Sequence, residues 1–265
     1  MVCLPVPPLP LLVQYLADDL RTRAVCIGRS VSLNFRDCTR RRASYSLYTG
    51  KRGGSSSAGQ ASEIAGRRDV IKKWGKSMKL DAKKTALLTL DFQKGILGLA
   101  AGADAIIPSA SKAVEFARRK QFLIIHVGLG FSEGHPEIAD INPRFQRVKE
   151  NNLFVKGTPS AEFHSAIAGP GELVVYKQRI SAFSENQLHL ILRSRGIENL
   201  VLFGISTSGI TLSTLRRAFD LDFRCFVLKD ACFDADPEIH RVLTEKIFPT
   251  QATVVTVDAF ILEQE

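Results

Sequence analysis

The sequence predicts an α/β domain built on a doubly wound, mostly parallel sheet with helices on both faces. Two observations predict it. Short, almost wholly apolar strands recur from Thr85 onward, and segments with helical spacing of apolar residues separate them. Short apolar strands of this kind are typical of parallel strands that are buried on both faces. Because strand–helix–strand crossovers are right-handed, the helices of such a domain cover both faces of the sheet.

The elements are expected to alternate along the chain. The predicted strands are Thr85–Asp91, Gln121–Val127, Leu173–Tyr176, Leu200–Phe203, Cys225–Leu228 and Thr253–Val257. The predicted helices are Asp104–Arg119, Glu185–Arg195, Leu212–Asp220 and Pro237–Ile247. Residues 128–170 interrupt this order with nine glycines and prolines, which predict a long irregular excursion. Since long loops inside a domain are usually functional or mobile, the excursion is expected to form the walls of the binding site.

Residues 1–78 differ from the single domain that is predicted over residues 79–265. They hold 14 Lys and Arg against 5 Asp and Glu, whereas the remainder holds 22 of each sign. The Arg- and Ser-rich part is too polar to bury a core, so a disordered basic extension is expected. An overlong gene model ending near Met78 is one explanation, and an organelle transit peptide is the alternative.

The composition excludes several classes of function. The basic excess lies outside the predicted domain, so the sequence gives no basic face for nucleic acid. No apolar run reaches the ~18 residues that cross a bilayer, and no membrane association is expected. The five cysteines show no CxxC spacing and leave an odd one over, which argues against a disulfide framework. A cytoplasmic location is expected, or a mitochondrial one if residues 1–78 are a transit peptide.

Polar residues follow the predicted strands where each strand ends. Asp91 ends the first strand and is followed by Phe92 and Gln93, while Lys177 follows the third strand. Ligands of open parallel sheets bind beyond the carboxyl ends of the strands, where the strand order reverses. If the first and third strands end close together, Asp91 and Lys177 form an ion pair, which is either functional or a structural salt bridge.

The fourth strand leads into the turn Gly204-Ile205-Ser206-Thr207-Ser208-Gly209, which opens a helix. A helix start offers unpaired N–H groups and the positive end of the helix dipole. The turn is therefore a candidate site for a carboxylate or an oxyanion. The alternative is that its three hydroxyl residues only cap the helix.

Three segments resemble, in order and spacing, the signature segments of the isochorismatase-like cysteine hydrolases. They are TALLTLDFQKGIL, VVYKQRISAF and LVLFGISTSGITLSTLRRAFDLDFRCFVLKDACFDADPEIH. The resemblance implies a catalytic Asp at Asp91, a catalytic Lys at Lys177 and a small-molecule substrate. It places the position of the nucleophilic cysteine at Ile210, so this member lacks the thiol. It also implies oxyanion- or substrate-binding positions at Phe92, Gln93, Ile205, Ser206, Thr207 and Gly209.

Two functions remain open. One is a cofactor-free hydrolase that uses Asp91 and Lys177 without a cysteine, as the isochorismatases proper use an Asp to protonate a vinyl ether. A nearby Lys177 should favour the charged carboxylate, which opposes that role. A substitute nucleophile at Ser206, Ser208 or Thr211 would need a general base that no motif supplies. The other function is that of a catalytically degenerate protein that binds a metabolite or a protein.

No metal or other cofactor is expected. His126 and His135 could be combined with Glu133 or Asp140, but their spacing matches no usual ligand pattern. Each histidine is instead predicted to be a satisfied core or loop residue. Members of the resembled family assemble as dimers or larger oligomers, so a homo-oligomer is expected.

Overall fold

The computed structural model describes residues 79–265. The predicted basic extension, with its transit-peptide and disordered alternatives, lies outside the described residues. The described chain contains one sheet of six parallel strands in the order β3-β2-β1-β4-β5-β6. The strands are β1 (Thr85–Leu90), β2 (Leu123–Leu129), β3 (Leu173–Lys177), β4 (Asn199–Gly204), β5 (Arg224–Leu228) and β6 (Ala252–Val255).

The strand order reverses between β1 and β4. From β1 the chain builds outward to β2 and β3, and from β4 it builds outward in the opposite direction to β5 and β6. All residues of β1 and β4 are buried, as expected for central strands covered on both faces. The sheet confirms the predicted fold class. The switch point, at which the strand order reverses, lies at the carboxyl ends of β1 and β4.

Seven α-helices are present within residues 79–265. They are α1 (Lys94–Leu99), α2 (Ile107–Lys120), α3 (Pro143–Glu150), α4 (Leu188–Ser194), α5 (Leu212–Asp220), α6 (Pro237–Val242) and α7 (Val257–Gln264). Phe116 of α2 packs edge-to-face on Phe260 of α7, with ring centroids 6.0 Å apart. None of the helices in this part of the chain combines the length and the apolar character that a bilayer crossing requires.

The structure departs from the predicted elements in four places. Helices α1 and α7 were not predicted from the sequence, and the predicted helix Pro237–Ile247 is α-helical only as far as Val242. The excursion over residues 128–170 is not wholly irregular, because it contains α3. Asn142 caps α3 through its side chain, which accepts a hydrogen bond from Phe145 N, and Pro143 occupies the first turn. That cap and proline are a helix start signal.

The excursion has a small apolar core of its own. Leu129, Phe131, Ile138, Phe145 and Phe154 form a buried cluster separate from the main core. Because Phe145 belongs to α3, this cluster fixes one face of α3 against the end of β2. The same helix lines a cavity, through Phe145 itself and through Arg144, Arg147 and Val148.

His126 lies in a buried polar network. Its Nδ1 is 2.7 Å from Thr89 Oγ1, and its Nε2 is 2.8 Å from Glu172 Oε2. Arg118 donates two hydrogen bonds to the same carboxylate at 2.8 and 2.9 Å. His135 is also buried, with Nε2 2.7 Å from Leu153 O. Both histidines are the satisfied residues that the sequence predicted.

Acid should weaken the fold through Glu172. The hydrogen bonds from Arg118, followed by those from Gly169 N and His126, lower the pKa of Glu172 to about 2, although burial opposes them. A carboxyl with a depressed folded-state pKa stabilises the protein above its ordinary pKa of 4.5, and that stability is lost as pH falls towards 2. Glu172→Gln is expected to lower the free energy of unfolding by about 1–3 kcal/mol at pH 7.

Urea unfolding between pH 2 and pH 7 measures this effect. The matched control is Glu198→Gln, which removes an exposed ion pair with Lys84 and should change the free energy of unfolding by less than about 0.5 kcal/mol. Equal losses in the two variants, or an unchanged acid dependence in Glu172→Gln, would contradict the role given to Glu172.

Candidate active site

Asp91 is held in an unusual backbone conformation at the end of β1. Its φ is 60°, in the left-handed region that residues other than glycine rarely adopt. Its N–H still donates to Val127 O at 2.8 Å, as if the strand continued. The bend therefore leaves the β-ladder intact while it turns the carboxylate towards the switch point. Such strain is tolerated where the surrounding structure fixes the residue, and it is common in active sites.

Lys177 ends β3 and meets Asp91 across the end of β2. Lys177 Nζ donates to Asp91 Oδ2 at 3.0 Å and to Arg179 O at 3.2 Å. Both side chains are buried, with 2% and 8% of their surface exposed. The other carboxylate oxygen, Asp91 Oδ1, is buried and accepts no hydrogen bond within residues 79–265. The pair expected from the sequence thus forms, with one carboxylate oxygen left available.

Burial decides the protonation of this pair. It raises the pKa of Asp91 above its ordinary value, although the charges of Lys177 and then Arg144 act in the opposite direction. Burial also lowers the pKa of Lys177, against the effect of Asp91. Lys177 favours the charged carboxylate, as expected from the sequence, but burial has the larger and opposite effect. The site favours a carboxyl that can carry a proton.

The turn after β4 crosses very close to β1. A Cβ on Gly204 would lie 2.2 Å from Leu90 O, so only glycine allows this approach. The peptide bond between Ile205 and Ser206 is cis. A π-helical turn, Thr207–Thr211, then leads directly into α5. This packing places Ile205 and Ser206 beside Asp91.

The N–H groups at the start of this turn already have acceptors. Thr207 N donates to Phe233 O at 2.8 Å, and Ser208 N donates to the carboxylate of Asp234 at 2.7 Å. Gly209 N donates to Ser206 Oγ at 3.1 Å. Asp234 thus takes the N–H of Ser208, whereas Ser206 and Ile210 of the same turn line the cavity. Of the three hydroxyl residues, Ser206 is the one that faces the cavity.

Thr207 faces away from the cavity. Its Oγ1 lies 2.9 Å from His240 Nδ1, and its side chain is fully buried. The pair combines a hydroxyl with an imidazole, and no sequence motif indicated it. Because neither residue lines the cavity, the contact fixes the turn after β4 against α6.

Phe92 and Gln93, to which the family resemblance gives a binding role, are fully buried and do not line the cavity. Phe92 is fully buried and packs edge-to-face on Phe203, with ring centroids 5.7 Å apart. Gln93 donates to Leu129 O and Ala161 O, each at 2.8 Å, and accepts from Leu129 N at 2.7 Å. Both side chains therefore support the floor of the site.

Ile210 occupies the position where the family resemblance places a cysteine. It is buried and lines the cavity with Asp91 and Lys177. Neither Cys225 nor Cys232 lines this cavity, and burial raises the pKa of each thiol to about 12. The two thiols of the described domain are therefore protonated near neutral pH, and both lie outside the cavity.

A cavity of about 640 Å³ opens above these residues at the carboxyl ends of the strands. Its apolar wall includes Ile96, Leu129, Phe145, Phe154, Ile205 and Ile210. Its polar groups include Asp91, Lys177, Ser206, Arg144, Arg147 and Arg179. The volume suits a small molecule, and the mixture of one carboxyl, one amine and several guanidinium groups can move a proton and hold an anion.

The three arginines were missed in the sequence. Arg144 and Arg147 lie on α3, and Arg179 follows β3. The start signal formed by Asn142 and Pro143 could have revealed the helix. The direction in which its side chains point could not be predicted, because it depends on Phe145 entering the small core of the excursion.

A buried carboxyl–amine pair lines a cavity at the switch point of a doubly wound sheet, which is where α/β enzymes bind small molecules. The comparisons give the family. Residues 85–259 match the model of the Isochorismatase domain, and the chain belongs to the isochorismatase family. This membership places it among the hydrolases of that family.

Two curated proteins and one solved structure illustrate what this chain is similar to. The isochorismatase family protein YecD from Escherichia coli O157:H7 is 32% identical over 69% of this chain and 98% of its own length. Ureidoacrylate amidohydrolase RutB from Acinetobacter baylyi is 30% identical over 68% of this chain and 83% of its own length. The solved structure of N-carbamoylsarcosine amidase from Thermoplasma acidophilum has a TM-score of 0.56 at 25% identity, covering 66% of this chain and 97% of that one.

Proposed function

We propose that the protein hydrolyses a small molecule without a cofactor and without a cysteine nucleophile, using Asp91 as the proton donor. One observation carries the proposal. The buried Asp91–Lys177 pair lines the cavity at the switch point, and Asp91 Oδ1 has no other partner in the described domain. A desolvated carboxyl with a raised pKa is suited to general acid catalysis near neutral pH.

Lys177 orients the acid. It donates to Asp91 Oδ2, so the proton of the neutral carboxyl is carried by Oδ1, which is the oxygen without an intramolecular acceptor. Lys177 Nζ is itself anchored to Arg179 O, which fixes the direction of the pair. The carboxyl is thereby positioned before a substrate binds, which lowers the cost of reaching the transition state.

The proposed reaction is an acid-assisted addition of water. For a vinyl ether, Asp91 Oδ1 protonates the terminal carbon of the double bond, and the ether oxygen stabilises the cation that forms. Water adds to the cationic carbon and returns a proton to Asp91, and the hemiketal then breaks to a carbonyl compound and an alcohol. No covalent enzyme intermediate is needed, which agrees with an isoleucine at position 210.

The names of two relatives specify amide-type substrates, and hydrolysis of such a bond by this chain is the second chemistry to test. Amide hydrolysis through an acyl-enzyme requires an activated nucleophile. Ile210 cannot supply one, and no hydrogen bond joins the Ser206 hydroxyl to Asp91 or Lys177 within the described residues. A non-catalytic metabolite-binding role is the alternative that Ile210 favours.

Asp91→Asn should abolish most of the turnover. With a panel of vinyl ethers, amides and carbamoyl acids, the variant is expected to lose about 10²- to 10⁴-fold in kcat, because the general acid is removed. In the unaltered protein, kcat/KM should fall as pH rises through the pKa of Asp91, since only the protonated form donates. Asp220→Asn, at an exposed position outside the cavity, is the control. Full activity of Asp91→Asn would refute the proposal, and so would ligand binding without turnover of any panel member.

Ile210→Cys should introduce amidase activity. The new thiol would lie in the cavity beside Asp91 and Lys177, where the family resemblance places the nucleophile. Product release from an amide substrate and its inhibition by iodoacetamide measure the gain. Ile180→Cys places a thiol elsewhere on the cavity wall and should give no amidase activity. Equal behaviour of the two variants would show that position 210 has no special relation to the pair.

We also propose that the protein forms a homo-oligomer. Edge strand β3 pairs only with β2 in the described sheet, and Leu173 and Val174 on it are 36% and 43% exposed. An apolar sheet edge of this kind is normally covered. Light scattering at micromolar concentration should give a multiple of the 29.2 kDa chain mass, whereas a monomer would contradict the proposal.

A further inference from the structure

A second cavity lies along the edge strand β6. Its volume is about 600 Å³, and it shares no lining residue with the active-site cavity described above. Its lining includes both ends of the β5–β6 pair, from Arg224 and Ala252 at one end to Lys229 and Val255 at the other. This space, the β6 cavity, therefore runs along the whole strand.

The walls of the β6 cavity are largely apolar. They include Phe219 of α5, which is 40% exposed, together with Pro249 and Val254. Strand β6 pairs only with β5 in the described sheet, so its outer side is open. A concave apolar surface around several hundred Å³ is typical of a site for a small molecule.

Lys229 gives the β6 cavity a positive charge without a partner. It is half-buried, and its Nζ makes no hydrogen bond or ion pair with any described residue. The other two charged residues of the lining are engaged. Glu245 accepts from Arg241 Nη1 at 3.0 Å. Arg224 Nη1 donates to Asn199 Oδ1 at 3.4 Å. An ammonium group at one end of an apolar cavity attracts an anionic group.

The β6 cavity adjoins His240, which contacts the turn after β4. Thr244 lines the cavity, and its Oγ1 donates to His240 O at 2.8 Å. His240 Nδ1 lies 2.9 Å from Thr207 Oγ1. Burial lowers the pKa of His240, Asp234 opposes this effect, and the charge of Lys229 adds to it. The titration of His240 therefore responds to what binds at Lys229.

We propose that the β6 cavity is a second binding site, for a small apolar molecule whose carboxylate pairs with Lys229 and whose apolar body packs on Phe219 and Val254. A single ammonium group balances one negative charge, which favours a carboxylate over a phosphate group that carries nearly two. The apolar body contributes affinity in proportion to the area that it buries. Because the two cavities share no residue, the inference does not depend on the proposed function.

Calorimetric titration of the full chain with octanoate, compared with the neutral octanamide, tests the proposal. Octanoate should bind at least about fivefold more tightly than octanamide, because only octanoate carries the charge. Lys229→Gln should weaken octanoate binding by about 5- to 20-fold, a moderate loss because the ammonium group is only half-buried. Lys229→Arg keeps the charge, should retain most of the affinity and guards against a folding defect in Lys229→Gln.

Two further variants separate the charged contact from the apolar one. Lys246→Gln removes an exposed lysine that does not line the cavity, and it should change octanoate binding by less than about twofold. Phe219→Ala should weaken octanoate and octanamide alike, by about 3- to 10-fold, because both lose the same apolar contact.

The imidazole resonance of His240, measured by NMR across pH, shows where octanoate binds. The bound carboxylate should offset the charge of Lys229, so the pKa of His240 should rise when octanoate is present. Loss of the resonance in His240→Gln assigns it. In Lys229→Gln, octanoate should leave the pKa of His240 unchanged.

Four results would overturn the proposal. They are an absence of octanoate binding, octanamide that binds as tightly as octanoate, equal losses in Lys229→Gln and Lys246→Gln, and octanoate binding to the unaltered protein without a change in the pKa of His240. The last result would place octanoate elsewhere, including the active-site cavity.

Discussion

The site depends on one interaction, the buried ion pair between Asp91 and Lys177. Two charged groups lose their hydration when they are buried, and their mutual attraction offsets this loss only in part. Such a pair therefore contributes little to the stability of the fold. Because β2 lies between β1 and β3, a short side chain at the end of β3 could not reach Asp91, and the long lysine spans the gap. The consequence is chemical, since desolvation moves both pKa values towards the neutral forms.

The helix start after β4 is partly engaged by the chain itself. In many α/β folds a helix start after a central strand binds the negative group of the ligand. Here Ser208 N donates to Asp234, a residue outside the cavity lining. Ser206 and Ile210 of the same turn line the cavity with Asp91, and the excursion contributes Arg144 and Arg147 to that lining. The sheet thus provides the acid, while the excursion provides part of the surrounding wall.

The sequence predicted most of the fold and the central pair, for physical reasons that also explain the failures. Apolar strands and the residues that follow them are local patterns, so Asp91 and Lys177 could be placed at one edge of the sheet. The effect of Lys177 on the pKa of Asp91 was predicted in the right direction, whereas the larger and opposite effect of burial could not be predicted, because burial is a tertiary property. Arg144 was missed because Pro143 was interpreted as a loop residue and not as the first turn of a helix.

Under the proposed function, Ile210 suits acid catalysis by Asp91 and does not suit covalent catalysis. A thiolate at this position would add a negative charge beside Asp91 and would draw on Lys177 as its counter-ion. The isoleucine adds no charge and no hydrogen-bonding group, so it helps to keep the pair desolvated. Desolvation is the cause that raises the pKa of Asp91. Under the proposed function, an isoleucine where the family resemblance places the cysteine therefore favours the protonated carboxyl that acid-assisted hydrolysis would use.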